Sequence, residues 1–252
     1  MAARLNRLWR LFGTALGFTL FGLGGLLLSL CWFPLLALCL RGERRRTLAQ
    51  ASIKQSFRLF MSLLKGLGVL DYRVSGMPQD LHGALVVANH PSLLDYVMLA
   101  AELPVCDCIV KQALWHNPFL GGVVRAADYI PNVEAERLLP LCMARVHSGG
   151  LLLVFPEGTR TTPGQPLHLQ RGAAQLALRS QVPLQPVRIH CSERFLTKQD
   201  KWFRTPKHKP SFTLEFLPQI TAAEVVDNEQ GSALAARQLT RFLTRVLQPG
   251  AQ

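Results

Sequence analysis

The chain has 252 residues, of which 49% are hydrophobic and only 17% charged, and its formal net charge is +12. Ordinary soluble domains carry about 25% charged residues, so part of the apolar surplus belongs in a membrane or in an unusually apolar core. The positive balance calls for an anionic partner. No nucleic-acid module is present, and basic residues cluster next to a hydrophobic stretch, which sets a lipid surface ahead of nucleic acid.

The length suits one α/β domain with a small appendage. Six cysteines are present, Cys31, Cys39, Cys106, Cys108, Cys142 and Cys191. They form no CxxC pair, and no Cys/His group has zinc spacing. They read as reduced, mostly buried thiols, in keeping with a cytosolic setting.

The first element is an apolar run. No charge interrupts Leu11 to Leu40, with Arg4, Arg7 and Arg10 before it and Arg41, Arg44, Arg45 and Arg46 after it. Such a run exceeds the ~20 residues that span a bilayer. It fits one spanning helix, or a hairpin turning at Gly22, Gly24 and Gly25 with arms of ~18 Å, about one leaflet. A cleaved signal peptide is disfavoured by the length of the run and the basic patch that follows it. Residues 1–46 are therefore expected to form a membrane anchor and residues 47–252 the domain it carries.

Residues 47–69 read as an amphipathic helix that lies on a surface. Beyond it, apolar runs at Ala84–Ala88, Cys108–Val110, Leu151–Phe155, Leu184–His190 and Ser211–Leu217 read as strands. Helical periodicity occupies Ser92–Glu102, Glu134–His147, Gln170–Ser180 and Ser232–Leu247. Strands alternating with helices predict a single α/β domain with a mixed sheet flanked by helices.

Two segments carry candidate chemistry. In Asn89-His90-Pro91-Ser92-Leu93-Leu94-Asp95, a histidine follows a buried strand, where α/β sites lie. A carboxylate in the next helix can fix the imidazole tautomer and stabilise the imidazolium, leaving the other ring nitrogen to take a proton. The same spacing also reads as a capping box, Ser92 with Asp95 three residues on. In Phe155-Pro156-Glu157-Gly158-Thr159-Arg160, Gly158 lets the backbone approach a ligand, Arg160 offers a planar fork for phosphate, and Thr159 adds a hydroxyl. Glu157 is placed to orient Arg160 or to accept from a substrate hydroxyl. Taken alone, this second segment is also ordinary turn chemistry.

The two segments together, about 65 residues apart, resemble the glycerolipid acyltransferase family, the lysophosphatidate-acyltransferase-like enzymes. The resemblance covers roughly residues 70–220. His90 and Asp95 match the family's His-x4-Asp motif. Glu157, Gly158, Thr159 and Arg160 match the block that holds the acceptor's phosphate. Lys111, Leu114, Pro118, Gly121 and Gly122 look like the middle block, and Val182 to Val187 like the block on the acyl side.

The resemblance implies a membrane-bound O-acyltransferase on the cytoplasmic face of the cell membrane. It would move a fatty acyl group from acyl-CoA or acyl-carrier protein to a lyso-lipid such as 1-acylglycerol 3-phosphate. His90 and Asp95 would form the base dyad, and Lys111, Glu157, Gly158, Thr159 and Arg160 would hold the acceptor. Membrane lipids are the expected partners, no cofactor or metal is implied, and the sequence sets no oligomeric state.

One departure concerns the acceptor. The segment Tyr129-Ile130-Pro131-Asn132-Val133 lacks the family's phosphate-contacting arginine, with Arg125 upstream as a substitute. A different hydroxy-lipid acceptor therefore stays open. So do a lipid ester or thioester hydrolase using the same dyad, for which no serine nucleophile motif exists, and a non-catalytic membrane adaptor, which the intact His90/Asp95 pair disfavours. The basic residues Lys198, Lys201, Arg204, Lys207 and Lys209 surround Trp202 and Phe203, a mixture suited to anionic headgroups or to an acidic carrier protein.

Overall fold

The computed structural model describes residues 2–226 and 231–248; the ends of the expected segments 1–46 and 47–252, residues 1 and 249–252, lie outside them. Three helices come first: α1 (Ala2–Leu27), α2 (Phe33–Cys39) and α3 (Gly42–Gly66). Then follow β1 (Asp71–Ser75), β2 (Leu85–Ala88), α4 (Asp95–Glu102), β3 (Cys106–Val110), α5 (Gly121–Ala127), β4 (Ile130–Pro131) and α6 (Ala135–His147). The chain closes with β5 (Leu151–Val154), α7 (Gly172–Ser180), β6 (Leu184–Cys191), β7 (Ser211–Phe216) and α8 (Ser232–Leu247).

The strands form one seven-stranded sheet in the order β1-β7-β6-β2-β5-β3-β4. Strands β6, β2, β5, β3 and β4 run parallel, while β7 runs antiparallel to β6 and β1 follows β7. The mixed sheet expected from the alternation of elements is therefore present. The short central strands are buried on both faces, as their unbroken apolar sequences require. Alternate residues serve opposite faces. Val86, Ala88, Leu151 and Leu153 join α3 and α4 on one side, and Leu85, Val87 and Leu152 join α6, α7 and α8 on the other.

The apolar run does not turn at its glycines. Helix α1 passes straight through Gly22, Gly24 and Gly25 and continues through a π-type widening at Leu28–Trp32 into α2. Gly25 serves close approach instead: a Cβ there would lie 2.9 Å from the Phe119 carbonyl oxygen. The reversal comes at Leu40–Arg41, where the backbone becomes extended before α3.

The stretch Arg4–Cys39 is 36 residues long and apolar enough to cross a membrane, and only 17% of its most apolar window is buried. A core helix would be mostly covered, so this one presents apolar surface outward. Leu5, Leu8 and Phe12, and again Leu20, Leu23 and Leu27, are exposed at three- and four-residue spacing within each set, one stripe of a helix. The opposite face is anchored to the domain. Arg7 Nε donates to the Thr205 carbonyl (3.1 Å), and buried Arg10 donates to the Pro206 and Lys207 carbonyls (3.0 and 2.6 Å).

Helix α3 begins five residues before the expected start at 47, and the expected boundary at 46 falls inside it. The cause is Arg46, which turns inward. Its Nη2 lies 2.6 Å from Asp107 on β3, whose side chain is 4% exposed, and Gln50 donates to the other Asp107 oxygen at 3.0 Å. Arg46 thus leaves the outward basic cluster to Arg41, Arg44 and Arg45, which are exposed.

Candidate active site

Strands β2 and β5 are parallel neighbours at the centre of the sheet. Residues 65 positions apart in sequence therefore leave the sheet side by side, His90 after β2 and Phe155–Arg160 after β5. The strands flanking this pair send their following segments to the same edge: Lys111 after β3, and the Ser192–Thr197 loop after β6. Ligand sites in such sheets lie outside the carboxyl ends of the strands.

Asn89 makes the exit from β2 possible. It is wholly buried. Its side-chain Nδ2 donates to the Ile189 carbonyl (2.8 Å), and its Oδ1 accepts from the Ile189 N–H (2.7 Å). A side-chain amide thus replaces a backbone amide in the β2–β6 ladder, and the main chain is free to turn away at His90. Sequence reasoning passed over Asn89; the signal available was a polar residue ending a fully apolar strand, where a buried amide must find partners.

The His90 ring Nδ1 lies 2.8 Å from Asp95 Oδ2. The ring stacks on Phe155, centroids 4.2 Å apart. Its Nε2 makes no hydrogen bond among the described residues, and the side chain is 19% exposed. Asp95 is fully buried. Burial pushes its carboxyl up to about 6, against the opposing pull of the His90 hydrogen bond and charge and the Ser92 N–H, with nearby Glu157 adding to the rise.

One oxygen of Asp95 faces the His90 ring and also makes half of the capping box, the contact to the Ser92 N–H, while α4 itself carries no side-chain cap. Oδ2 accepts from the Ser92 N–H at 2.6 Å as well as facing His90 Nδ1. The helix itself starts at Asp95 rather than at Ser92. Residues 92–94 form a turn, in which the Ser92 hydroxyl donates to the Phe195 carbonyl (3.0 Å).

Glu157 does not meet Arg160. Its Oε1 accepts the His90 backbone N–H (2.8 Å) and the Thr161 hydroxyl (2.7 Å), and the Thr161 N–H donates to the His90 carbonyl (2.7 Å). His90 is thereby clamped at both backbone groups by residues that bracket Arg160. Thr161, absent from the sequence-based candidates, is part of that clamp; a hydroxyl just beyond the EGTR block was its only sequence trace.

Gly158 takes a left-handed backbone (φ +67°), which glycine adopts without steric cost. Thr159 is half-buried and makes no hydrogen bond among the described residues. Arg160 Nη1 donates to the Leu196 and Thr197 carbonyls (2.9 and 3.1 Å), leaving Nε and Nη2 without protein acceptors among the described residues. Lys111 is exposed at the same sheet edge. Arg125 is engaged elsewhere, donating Nη1 to the Trp115 carbonyl at 2.5 Å.

The six cysteines are unpaired thiols; Cys106, Cys108 and Cys142 are buried, Cys191 is intermediate, and Cys31 and Cys39 are exposed on the apolar run. Burial pushes the Cys106 thiol up to about 12, which leaves it protonated and unreactive.

The family model described as Acyltransferase matches residues 71–190. The human 1-acyl-sn-glycerol-3-phosphate acyltransferase beta is 30% identical over 200 residues, covering 74% of this chain and 70% of the human one. The Helicobacter pylori 1-acyl-sn-glycerol-3-phosphate acyltransferase is 33% identical over 115 residues, covering 43% of this chain and 48% of its own. The chain spans about half the length of most of the curated relatives it matches. In fold it is similar to the crystal structure of the 1-acyl-sn-glycerophosphate acyltransferase PlsC from Thermotoga maritima, with a TM-score of 0.73 at 21% identity, over 99% of this chain and 96% of that one. With a human relative matched over more than two thirds of its length, this chain belongs to the 1-acyl-sn-glycerol-3-phosphate acyltransferase family.

Proposed function

We propose that this chain transfers a fatty acyl group from a thioester to the free hydroxyl of 1-acylglycerol 3-phosphate, at a membrane surface, with His90 as general base. The observation that carries the reading is the partly exposed imidazole whose Nδ1 is taken up by buried Asp95 while Nε2 has no partner among the described residues, one loop away from Arg160.

In the first step, His90 Nε2 removes the proton of the acceptor hydroxyl as its oxygen attacks the thioester carbonyl. Asp95 stabilises the imidazolium that forms. The tetrahedral intermediate collapses, the C–S bond breaks, and the departing sulfur takes the proton back from Nε2. Base catalysis of this kind contributes about 10²–10⁴-fold. The free N–H groups of Arg160, the Thr159 hydroxyl and Lys111 hold the acceptor's phosphate. Glu157 acts on the acceptor indirectly, by fixing the loop that carries Arg160 against His90.

The donor is a thioester of coenzyme A or of acyl-carrier protein; both deliver the same electrophile. The exposed apolar stripe of α1 seats the protein on the cytoplasmic leaflet, with Arg41, Arg44 and Arg45 toward anionic headgroups.

The test is His90→Ala in the purified, lipid-reconstituted protein, following labelled acyl groups by mass spectrometry. Transfer to 1-acylglycerol 3-phosphate should vanish while circular dichroism and vesicle binding persist. Wild-type turnover in this variant would sink the mechanism, and wild-type release of free fatty acid in place of acylated lipid would sink the transferase reading.

A further inference from the structure

The segment between β6 and β7 is longer than a strand connection needs, and its middle is exposed. Trp202 and Phe203 are 49% and 50% exposed, packed edge to face on each other at 5.7 Å. Large aromatics exposed side by side on a loop tip mark a contact surface.

The charge around them is positive. Residues 193–210 contain six Lys or Arg against two carboxylates. One of these carboxylates, Asp200, is withdrawn: its side chain is 4% exposed, it accepts from the Thr197 hydroxyl at 2.6 Å, and it faces Arg194 and Arg204. Lys198, Lys201 and Lys207 are exposed with no acidic partner among the described residues. Lys201 Nζ sits 5.7 Å from the centre of the Phe203 ring.

The loop is also tied at both ends to groups already described. On one side its Leu196 and Thr197 carbonyls receive Arg160. On the other, its residues 205–207 receive Arg7 and Arg10 of α1. Trp202 meets Phe18 of α1 edge-on, 6.3 Å between ring centres, so the aromatic tip is continuous with the membrane-seeking helix.

We infer that the 198–207 loop is a second membrane contact, specific for anionic leaflets, with Trp202 and Phe203 in the interface and Lys198, Lys201 and Lys207 on the lipid phosphates. The inference rests on the lipid-acyltransferase reading above and adds to it an entry side: the acceptor lipid reaches Arg160 along the loop that holds that guanidinium. Indole and phenyl rings settle at the headgroup level of a bilayer, and a polybasic segment beside them is attracted to acidic lipid within a Debye length.

The full chain, purified in detergent, is mixed with vesicles of phosphatidylcholine alone or with added phosphatidylglycerol, and bound protein is measured by flotation. The triple variant Lys198→Gln/Lys201→Gln/Lys207→Gln should lose roughly 100-fold in partition to the anionic vesicles, about fivefold per charge, and little to the neutral ones. Trp202→Ala/Phe203→Ala should lose on both. Turnover of a short-chain acceptor dispersed as monomers should stay at the wild-type level in both variants, which also shows that they fold. Wild-type partition of the triple variant to anionic vesicles overturns the inference. So does unchanged vesicle binding with turnover lost only for carrier-protein thioesters, which assigns the surface to an acidic carrier. Flotation needs no catalysis, so a failure of the acyltransferase reading itself is seen separately, as absent transfer in the wild-type protein.

Discussion

His90 and Arg160 leave adjacent strands of one sheet, yet they are held in opposite ways. His90 is fixed at every handle: its N–H by Glu157, its carbonyl by Thr161, its Nδ1 by Asp95 and its ring face by Phe155. Arg160 is held through one nitrogen by two main-chain carbonyls of a loop. Proton transfer tolerates little displacement, and a misplacement of about 1 Å can cost ~10²-fold. A headgroup anchor must instead admit and release a lipid, so its restraint is looser. Under the proposed function, the rigid half sets rate and the yielding half sets affinity.

The strongest attack on the rigid half is Asp95→Asn. The amide cannot stabilise an imidazolium, and kcat should fall on the order of 10³–10⁴-fold with KM for the acceptor unchanged. Stability should move the other way. A carboxyl raised to about 6 by burial contributes stability that is full below its ordinary value of about 4 and is lost as pH rises through 6. At neutral pH the buried charge is therefore a cost, and thermal unfolding should show Asp95→Asn at least as stable as wild type.

Acidification probes the same group more gently. As pH falls through about 6, Asp95 takes up a proton and kcat should drop about tenfold per unit, reaching ~10²-fold near pH 4. In Asp95→Asn the limb belonging to this group should be absent from the residual rate.

The yielding half answers to Arg160→Ala. Its loss should raise KM for 1-acylglycerol 3-phosphate by about 10–100-fold, the worth of hydrogen bonds to a charged group, and leave kcat nearly intact. A fall in kcat alone would erase the division of labour. The smallest effect is expected between the halves. Thr161→Val removes one hydrogen bond to the Glu157 carboxylate, worth about 1.5 kcal/mol, and should lower kcat roughly tenfold without changing KM; Thr161→Ser should restore it.

Much of this was legible in the sequence, and for identifiable reasons. The central strands β2 and β5 are unbroken apolar runs, and the motif residues follow them directly. The edge elements were not legible. Strand β1 reads Asp71-Tyr72-Arg73-Val74-Ser75, too mixed to show a period, as suits an edge strand paired with β7 on one side. Helix α5 opens on Gly121 and Gly122, which local propensity assigns to loop, and α3 packs it into place. Of the two alternatives for the apolar run, the turn at Gly22–Gly25 is absent because small residues serve close helix packing as well as turns. The roles of Asn89, Glu157 and Thr161 depend on partners 100, 67 and 71 positions away along the chain, a distance that no local pattern encodes.

Asn89 has one further consequence, in the time domain. Because its side chain closes the β2–β6 ladder, the Ile189 amide proton is shielded by the segment that carries His90. Its exchange with deuterated solvent then requires that segment to open. Replacing Asn89 with Ala should strip the Ile189 N–H and C=O of their partners, each at about 1–3 kcal/mol, and speed that single exchange event well before the remote helices α6 and α8 lose protection. A backbone proton deep in the sheet would thus serve as a clock for how long His90 stays in position.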